Sequence, residues 1–187
     1  MGDLDPEAVV PRLRGRLGRP YTFVAESESS QLLIPADAAE GTVVAADVQT
    51  AGRGRLGRRW EAAAGTSLLF SLALVPRAAP ERLPSLTLVA ARAVADSLGV
   101  ASAIKYPNDV LVRGRKIAGA LGEARGDRVV LGIGVNVNVP AGALPAETVL
   151  PPTSLLVETG VRHDRGELLA EILSALERRY DDWLTQG

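Results

Sequence analysis

No cysteine occurs among the 187 residues, and His163 is the one histidine. The first absence excludes disulfides, thiolate zinc sites and a cysteine nucleophile, and it is compatible with a reducing cytoplasm. The second excludes a multi-histidine metal site; His163 reads as a surface residue ahead of a helix. Long apolar runs are also missing. The most hydrophobic stretches are short or broken by charges such as Arg92 and Asp96, so no membrane span is expected. The N-terminus, Met1-Gly2-Asp3-Leu4-Asp5-Pro6-Glu7, is acidic and lacks the basic start of a signal peptide, which points to a cytoplasmic protein. Neither charge sign dominates: 21 basic residues face 22 acidic ones, so any anion site must be local. Aromatics make up only 4%, few for a protein that reads nucleic acid by stacking.

Against that balanced background one stretch stands out. Gln49-Thr50-Ala51-Gly52-Arg53-Gly54-Arg55-Leu56-Gly57-Arg58-Arg59-Trp60 carries four arginines, three glycines and no acid. Glycines cost backbone entropy on ordering, and clustered arginines repel one another unless an anion sits among them. A solvated basic loop and a clamp over a phosphate- or carboxylate-bearing ligand both fit this composition. The segment Gly52 to Gly57 formally matches the dinucleotide fingerprint G-x-G-x-x-G. That fingerprint must open a helix and be followed by a ribose-binding acid. Here the chain runs toward a Gly65-Thr66 turn and a strand, without an acid between Glu61 and Glu81. Four cations exceed the need of one carboxylate, so a nucleotide, or a nucleotide together with a carboxylate, matches better.

The remaining pattern is that of one α+β domain, residues 1 to 187, on a mixed, largely antiparallel sheet flanked by helices. Asp5-Pro6 is expected to cap a helix running to Gly15 or Gly18. Tyr21–Val24, Gly41–Asp47 and Ser67–Val75 read as strands, and Pro84–Leu98 as a helix ended by Gly99. In the run Glu26–Gln31, Ser29 or Ser30 reads as a helix cap. Val110–Val112 and Lys116–Leu121 flank Arg113-Gly114-Arg115 as a hairpin. Arg128–Asn138 is a further strand and Pro140–Pro152 a loop. Asp164-Arg165-Gly166-Glu167 has capping-box spacing before a terminal helix.

Two stretches add context to the arginine loop. Lys105-Tyr106-Pro107-Asn108-Asp109 places an ammonium, an amide and a carboxylate around a proline-fixed turn. Lys116-Ile117-Ala118-Gly119 places a second lysine beside a glycine that permits close approach. In Gly132-Ile133-Gly134-Val135-Asn136-Val137-Asn138 glycines and asparagines alternate with apolar residues, fitting a tightly packed strand or one whose Asn136 meets a ligand.

Taken in order, Gly-Arg-Gly-Arg-x-Gly-Arg-x-Trp, Lys-aromatic-Pro-Asn-Asp, Lys-Ile-Ala-Gly and Gly-x-Asn resemble the catalytic domain of biotin protein ligases. Gln49-Thr50-Ala51 and Ser29-Ser30-Gln31 extend the likeness. The resemblance implies the biotin ligase and class II aminoacyl-tRNA synthetase type of catalytic fold. It also implies an ATP-dependent enzyme using Mg²⁺. Biotin and ATP would give biotinyl-5′-AMP and pyrophosphate, and a lysine of a biotin carboxyl carrier protein would then take the biotinyl group.

By the same resemblance, Ser29, Ser30, Gln31, Gln49, Gly52, Arg53, Gly54, Arg55, Lys116 and Gly119 are the expected biotin contacts. Arg55, Arg58, Trp60, Lys105, Asn108, Lys116 and Asn136 are the expected ATP and adenylate contacts. Arg53, Lys116 and Asp109 are the expected catalytic groups: the two cations neutralise carboxylate and α-phosphate, and Asp109 faces the acceptor lysine. Direct protein ligation of Mg²⁺ is not expected; the phosphates would hold it, with Asp109 the one carboxylate beside them. Tyr106 stands where the family usually has Trp, and Ser30 and Gln31 replace Thr and Asn. The reading further expects neither a helix-turn-helix nor a small C-terminal β domain, hence no DNA partner, and it leaves open a homodimer. Two alternatives remain: a lipoate-type ligase of the same fold, and a non-catalytic biotin or nucleotide sensor.

Overall fold

The computed structural model describes residues 2–186 apart from Arg55, Leu56, Arg58 and Glu147. Seven strands form one sheet: β1 (Tyr21–Ser27), β2 (Val43–Gln49), β3 (Ser67–Leu74), β4 (Ala103–Lys105), β5 (Asp109–Val112), β6 (Arg115–Arg125) and β7 (Arg128–Asn136). Their spatial order is β1-β2-β3-β7-β6-β5-β4. β1 and β2 run parallel, and every other neighbouring pair is antiparallel. The mixed, largely antiparallel sheet expected from the strand grouping is therefore the one observed.

Side chains alternate across a strand, so the register decides what each face carries. Leu68, Phe70, Leu72 and Leu74 of β3 lie opposite Val135, Ile133, Leu131 and Val129 of β7. All are buried in the main core, as are Ala118 and Ala120 of β6. Helices α2 (Leu86–Ser97) and α4 (Arg165–Thr185) cover this face and pack on each other. At the far end of α4, Trp183 Nε1 donates to Ser85 Oγ at 2.8 Å and Arg82 lies over the Trp183 ring at 4.4 Å. The opposite face carries Leu69, Ser71, Gly119, Leu121, Gly132 and Gly134, and among the described residues no helix of comparable length lies over it. Among the described residues no helix is long and apolar enough to cross a membrane.

Two local expectations need correction. The first helix is only α1 (Pro6–Val9), followed by a 3-10 turn at Val10–Arg12. Pro11 lacks the N–H that α-helical continuation requires, and Asp5 accepts from the Gly2 amide (2.6 Å) instead of capping. Ser29 and Ser30 do not cap by side chain either; residues Ser30–Leu33 form a 3-10 turn. A short helix, α3 (Leu155–Thr159), went unnoticed in the sequence although its signals are present. Ser154 caps it by accepting from Val157, and Gly160 closes it with a left-handed φ of 78°. The hairpin and the terminal cap are as expected. Arg113 and Gly114 both take positive φ, as a two-residue turn of type I′ demands, and Asp164 accepts from the Glu167 amide at 2.9 Å.

One buried cation fastens the cavity end of the sheet to α4. The Arg165 guanidinium donates to Asp3 (2.7 Å), to Asp47 (2.6 Å) and to the Ser67 carbonyl (3.0 Å). Asp47 also accepts from the Gly65 amide at 2.9 Å, so the carboxylate at the end of β2 holds the far end of the arginine loop. Burial pushes the Asp3 carboxyl up, but the hydrogen bonds and charge of Arg165 pull it down further, leaving it below 3.8. A depressed folded-state value means that the stabilisation is complete above the unfolded value. It drains away as pH falls from about 4 through the lower folded value. Asp3→Asn should therefore lower the urea midpoint at neutral pH and flatten its fall between about pH 5 and pH 3. Parallel curves for variant and wild type would show that this ion pair has no share in acid sensitivity.

Candidate active site

The glycines on the helix-free face make room for other side chains. A Cβ on Gly132 would sit 2.8 Å from Gln31 Cδ, and one on Gly134 would sit 2.7 Å from the Trp60 ring. Gly119 borders both Trp60 and the Lys116 ammonium. The alternating glycines of β7 thus form a floor on which Gln31 and Trp60 lie. Above it opens a cavity of about 690 Å³, within the usual size of small-molecule sites.

The register lines up the polar wall. Lys105 pairs with Asp109, Asp109 with Gly119, and Gly119 with Gly134, a single row across β4, β5, β6 and β7. Lys116 joins this row through a β-bulge. Val110 lies opposite Ala118 and Leu111 opposite Lys116, so Ile117 is an extra residue. Ile117 and Ala118 are both fully buried in the core, and the extra residue turns Lys116 back to the cavity face. Lys116 Nζ meets Asp109 Oδ1 at 2.7 Å, an ion pair without hydrogen-bond alignment, and stands 5.6 Å from the centroid of the Trp60 ring. That is within cation–π range.

The other end of the cavity is neutral. Ser29, Ser30 and Gln31 are buried, at 2%, 2% and 3% exposure, so their polar groups must find partners. The Ser30 amide donates to Gln49 Oε1 (2.7 Å), and Ser30 Oγ shares a hydrogen bond with Ser71 Oγ (2.7 Å). Gln31 Nε2 donates to the Val130 carbonyl at 3.4 Å, a long contact.

The arginine loop folds back on itself. Arg53 and Arg59 form an antiparallel bridge, and the Trp60 amide donates to the Gly52 carbonyl at 2.9 Å. Arg53 pairs with Glu123 at 3.2 Å, and Arg59 donates to the Thr50 carbonyl at 2.8 Å. Gly52 is buried under Trp60 and does not line the cavity, so its place is to close the loop. Arg55 and Arg58 lie outside the described residues. Every other expected contact lines the cavity: Ser29, Ser30, Gln31, Gln49, Arg53, Gly54, Trp60, Lys105, Asn108, Asp109, Lys116, Gly119 and Asn136. Two of them are also structural ties. Asn108 Nδ2 donates to the Ala120 carbonyl at 2.9 Å, and Asn136 Nδ2 donates to the Thr153 carbonyl at 3.0 Å. Tyr106 stands at the rim, 78% exposed.

Sequence reasoning missed one wall. Thr148, Val149, Leu150 and Pro152, read only as loop, border the cavity. Pro151 and Thr153 hydrogen-bond on either side of Lys116: its amide donates to the Pro151 carbonyl, and its carbonyl accepts from the Thr153 amide, both at 2.8 Å. Apolar Val149 and Leu150 in an otherwise proline- and alanine-rich loop were the available signal. Ser71 was missed as well, since a serine inside an apolar strand is as easily a packed residue. Among the described residues no group of three or more acids or histidines could hold a metal ion.

Comparison with known proteins gives this cavity a family context. The model of the Biotin/lipoate A/B protein ligase family matches residues 26–139. The bifunctional ligase/repressor BirA of Bacillus spizizenii is 42% identical over 160 residues, covering 81% of this chain and 49% of the relative. The biotin–[acetyl-CoA-carboxylase] ligase of Mycobacterium tuberculosis is 36% identical over 179 residues, covering 88% and 65%. The chain thus spans about half the length of the first of these relatives. Among solved structures, the biotin protein ligase of Aquifex aeolicus in complex with biotin and ATP superposes with a TM-score of 0.79 at 33% identity. That match covers 88% of this chain and 72% of the other. The chain belongs to the biotin/lipoate A/B protein ligase family.

Proposed function

We propose that the chain activates biotin with ATP to biotinyl-5′-AMP, releasing pyrophosphate, and transfers the biotinyl group to a lysine of a biotin carboxyl carrier protein in the cytoplasm. One observation carries this reading: a buried neutral end, with Ser30, Gln31 and Ser71, shares a cavity with a cationic wall of Lys116, Arg53 and Lys105. A neutral ureido head suits the first, and a carboxylate meeting a triphosphate suits the second. The relatives named as biotin ligases, and the solved relative with biotin and ATP, favour biotin over lipoate.

In the first step a carboxylate oxygen of biotin attacks the α-phosphorus, and the bond to the β-phosphate oxygen breaks. Biotin, with an ordinary carboxyl pKa, is already ionised at pH 7, so no base is needed. The obstacle is repulsion between anions, on the order of 4 kcal/mol per unit pair at 4 Å in an effective dielectric of 20. Lys116 and Arg53, which both line the cavity, would offset it. Bound Mg²⁺ would neutralise the triphosphate further. Asp109, a carboxylate of the cavity wall, would lie beside an ion held mainly by the phosphates.

In the second step the acceptor amine attacks the mixed-anhydride carbonyl, and AMP leaves with the bridging oxygen. The acceptor lysine is protonated at pH 7 and must lose a proton. Asp109 pairs with Lys116. Once Lys116 turns to the phosphate, the Asp109 carboxylate becomes available to the incoming ammonium.

Incubation with biotin, ATP and Mg²⁺ followed by mass spectrometry should find biotinyl-AMP retained by the protein; none at saturating substrate would favour a sensor. Lys116→Ala should slow adenylate formation by about 100-fold or more, read as pyrophosphate release. Asp109→Asn should slow transfer from preformed biotinyl-AMP in a single-turnover assay, and an unchanged rate would remove Asp109 from that step. Arg55→Gly should release biotinyl-AMP and label bystander lysines; labelling no greater than the wild type's would remove Arg55 from the clamp.

A further inference from the structure

A chain of charged contacts behind the cavity links its two ends. Glu123 projects from β6 on the helix-free face, opposite Val130 of β7. Its Oε1 pairs with Arg53 NH1 at 3.2 Å, and its Oε2 accepts from Arg125 NH2 at 2.9 Å. Arg125 NH1 in turn donates to the carbonyl of Gln31 at 3.0 Å. Gln31 lines the neutral end of the cavity and Arg53 its cationic wall. Neither Glu123 nor Arg125 lines that cavity; Glu123 instead lines a smaller cleft behind the loop, shared with Arg53, Gly54 and Arg59.

We propose that Glu123 is a positioning residue that couples the biotin end of the cavity to the arginine loop. This rests on the functional reading above. Arg53 is 48% exposed, Glu123 27% and Arg125 29% by side chain, and an isolated pair so exposed contributes little. The arrangement is not an isolated pair. A single carboxylate spends both oxygens on two guanidiniums that would repel each other without it, and the second guanidinium is tied to backbone. The described contact of Arg53 uses only NH1 of a five-donor fork, so Glu123 can hold the side chain while it still faces the cavity. A shift of Arg53 toward a bound anion therefore reaches the Gln31 carbonyl through Glu123 and Arg125. Biotin seated against Gln31 sets the loop arginine by the same route.

The test is a set of double-mutant cycles read as biotin affinity by calorimetry, without ATP. Arg53→Ala, Arg125→Ala and their combination are compared in the wild type and in Glu123→Gln, which keeps the side-chain shape. Arg125→Ala should weaken biotin about threefold although it does not touch the cavity, the scale expected of half-exposed charges. The combined variant should bind about threefold better than the product of the single effects predicts, and Glu123→Gln should abolish that discrepancy. Effects that simply multiply in both backgrounds, or unchanged affinity in Arg125→Ala, would overturn the coupling even with lowered thermal midpoints. Failure of the wild type to bind biotin at all would instead overturn the functional reading, and the coupling with it.

Discussion

Side-chain alternation across β3, β6 and β7 is the constraint on which the rest of the structure depends. One face of these strands must fill the space beneath α2 and α4, and it does so with Leu68, Phe70, Leu72, Ile133 and Val135. The same residues leave the odd face of β3 and the even face of β7 free, and there Gly132 and Gly134 make a floor low enough for Gln31 and Trp60. A one-residue slip would bury the glycine face against the helices and turn the leucines toward solvent. Core stability and cavity shape are therefore set by one register. The bulge at Ile117 is the local exception: it puts two consecutive residues, Ile117 and Ala118, into the core and returns Lys116 to the cavity.

Much of this was legible in the chain because it is encoded locally. The Arg113-Gly114 turn, the Asp164 cap and the strand periods are short-range signals, and the sheet class follows from the grouping of hairpin-linked strands. Lys105, Asp109, Lys116 and Asn136 were recognisable as a set through their resemblance to a family rather than through any one stretch. What stayed hidden depends on contacts between distant segments. Glu123 faces Arg53 across 70 positions, and Arg125 meets Gln31 across 94. No period or spacing marks such a pair. The α1 expectation failed for a different reason: Asp5-Pro6 is a sound start, but Pro11 ends helical hydrogen bonding within two turns.

Among the described residues, the cations of the site are compensated locally, in a protein with no excess of positive charge. Arg53 leans on Glu123, Lys116 on Asp109, and Arg59 on the Thr50 carbonyl. Each partner belongs to a neighbouring strand or loop rather than to the neutral end, where the described contacts of the Ser30 amide and of the Ser30 and Gln31 side chains are all to uncharged groups. The Arg125 contact to Gln31 reaches its backbone carbonyl from outside the cavity, so even there no carboxylate competes with an incoming acid.

The Lys116–Asp109 pair also orders the proposed chemistry. A cation held by a carboxylate costs little to keep in the cavity wall, yet an ion pair is a poor electrophilic catalyst while intact. A phosphate seated beside Lys116 would compete with Asp109 for it. In the proposed reaction, adenylate formation would leave Asp109 partly released when an acceptor ammonium has an anhydride to meet. Before that moment the carboxylate is occupied, and a lysine entering the cavity finds neither an anhydride to attack nor a group to take its proton. On the proposed reading, the contact of 2.7 Å would keep Asp109 from an acceptor ammonium until a phosphate competes for Lys116.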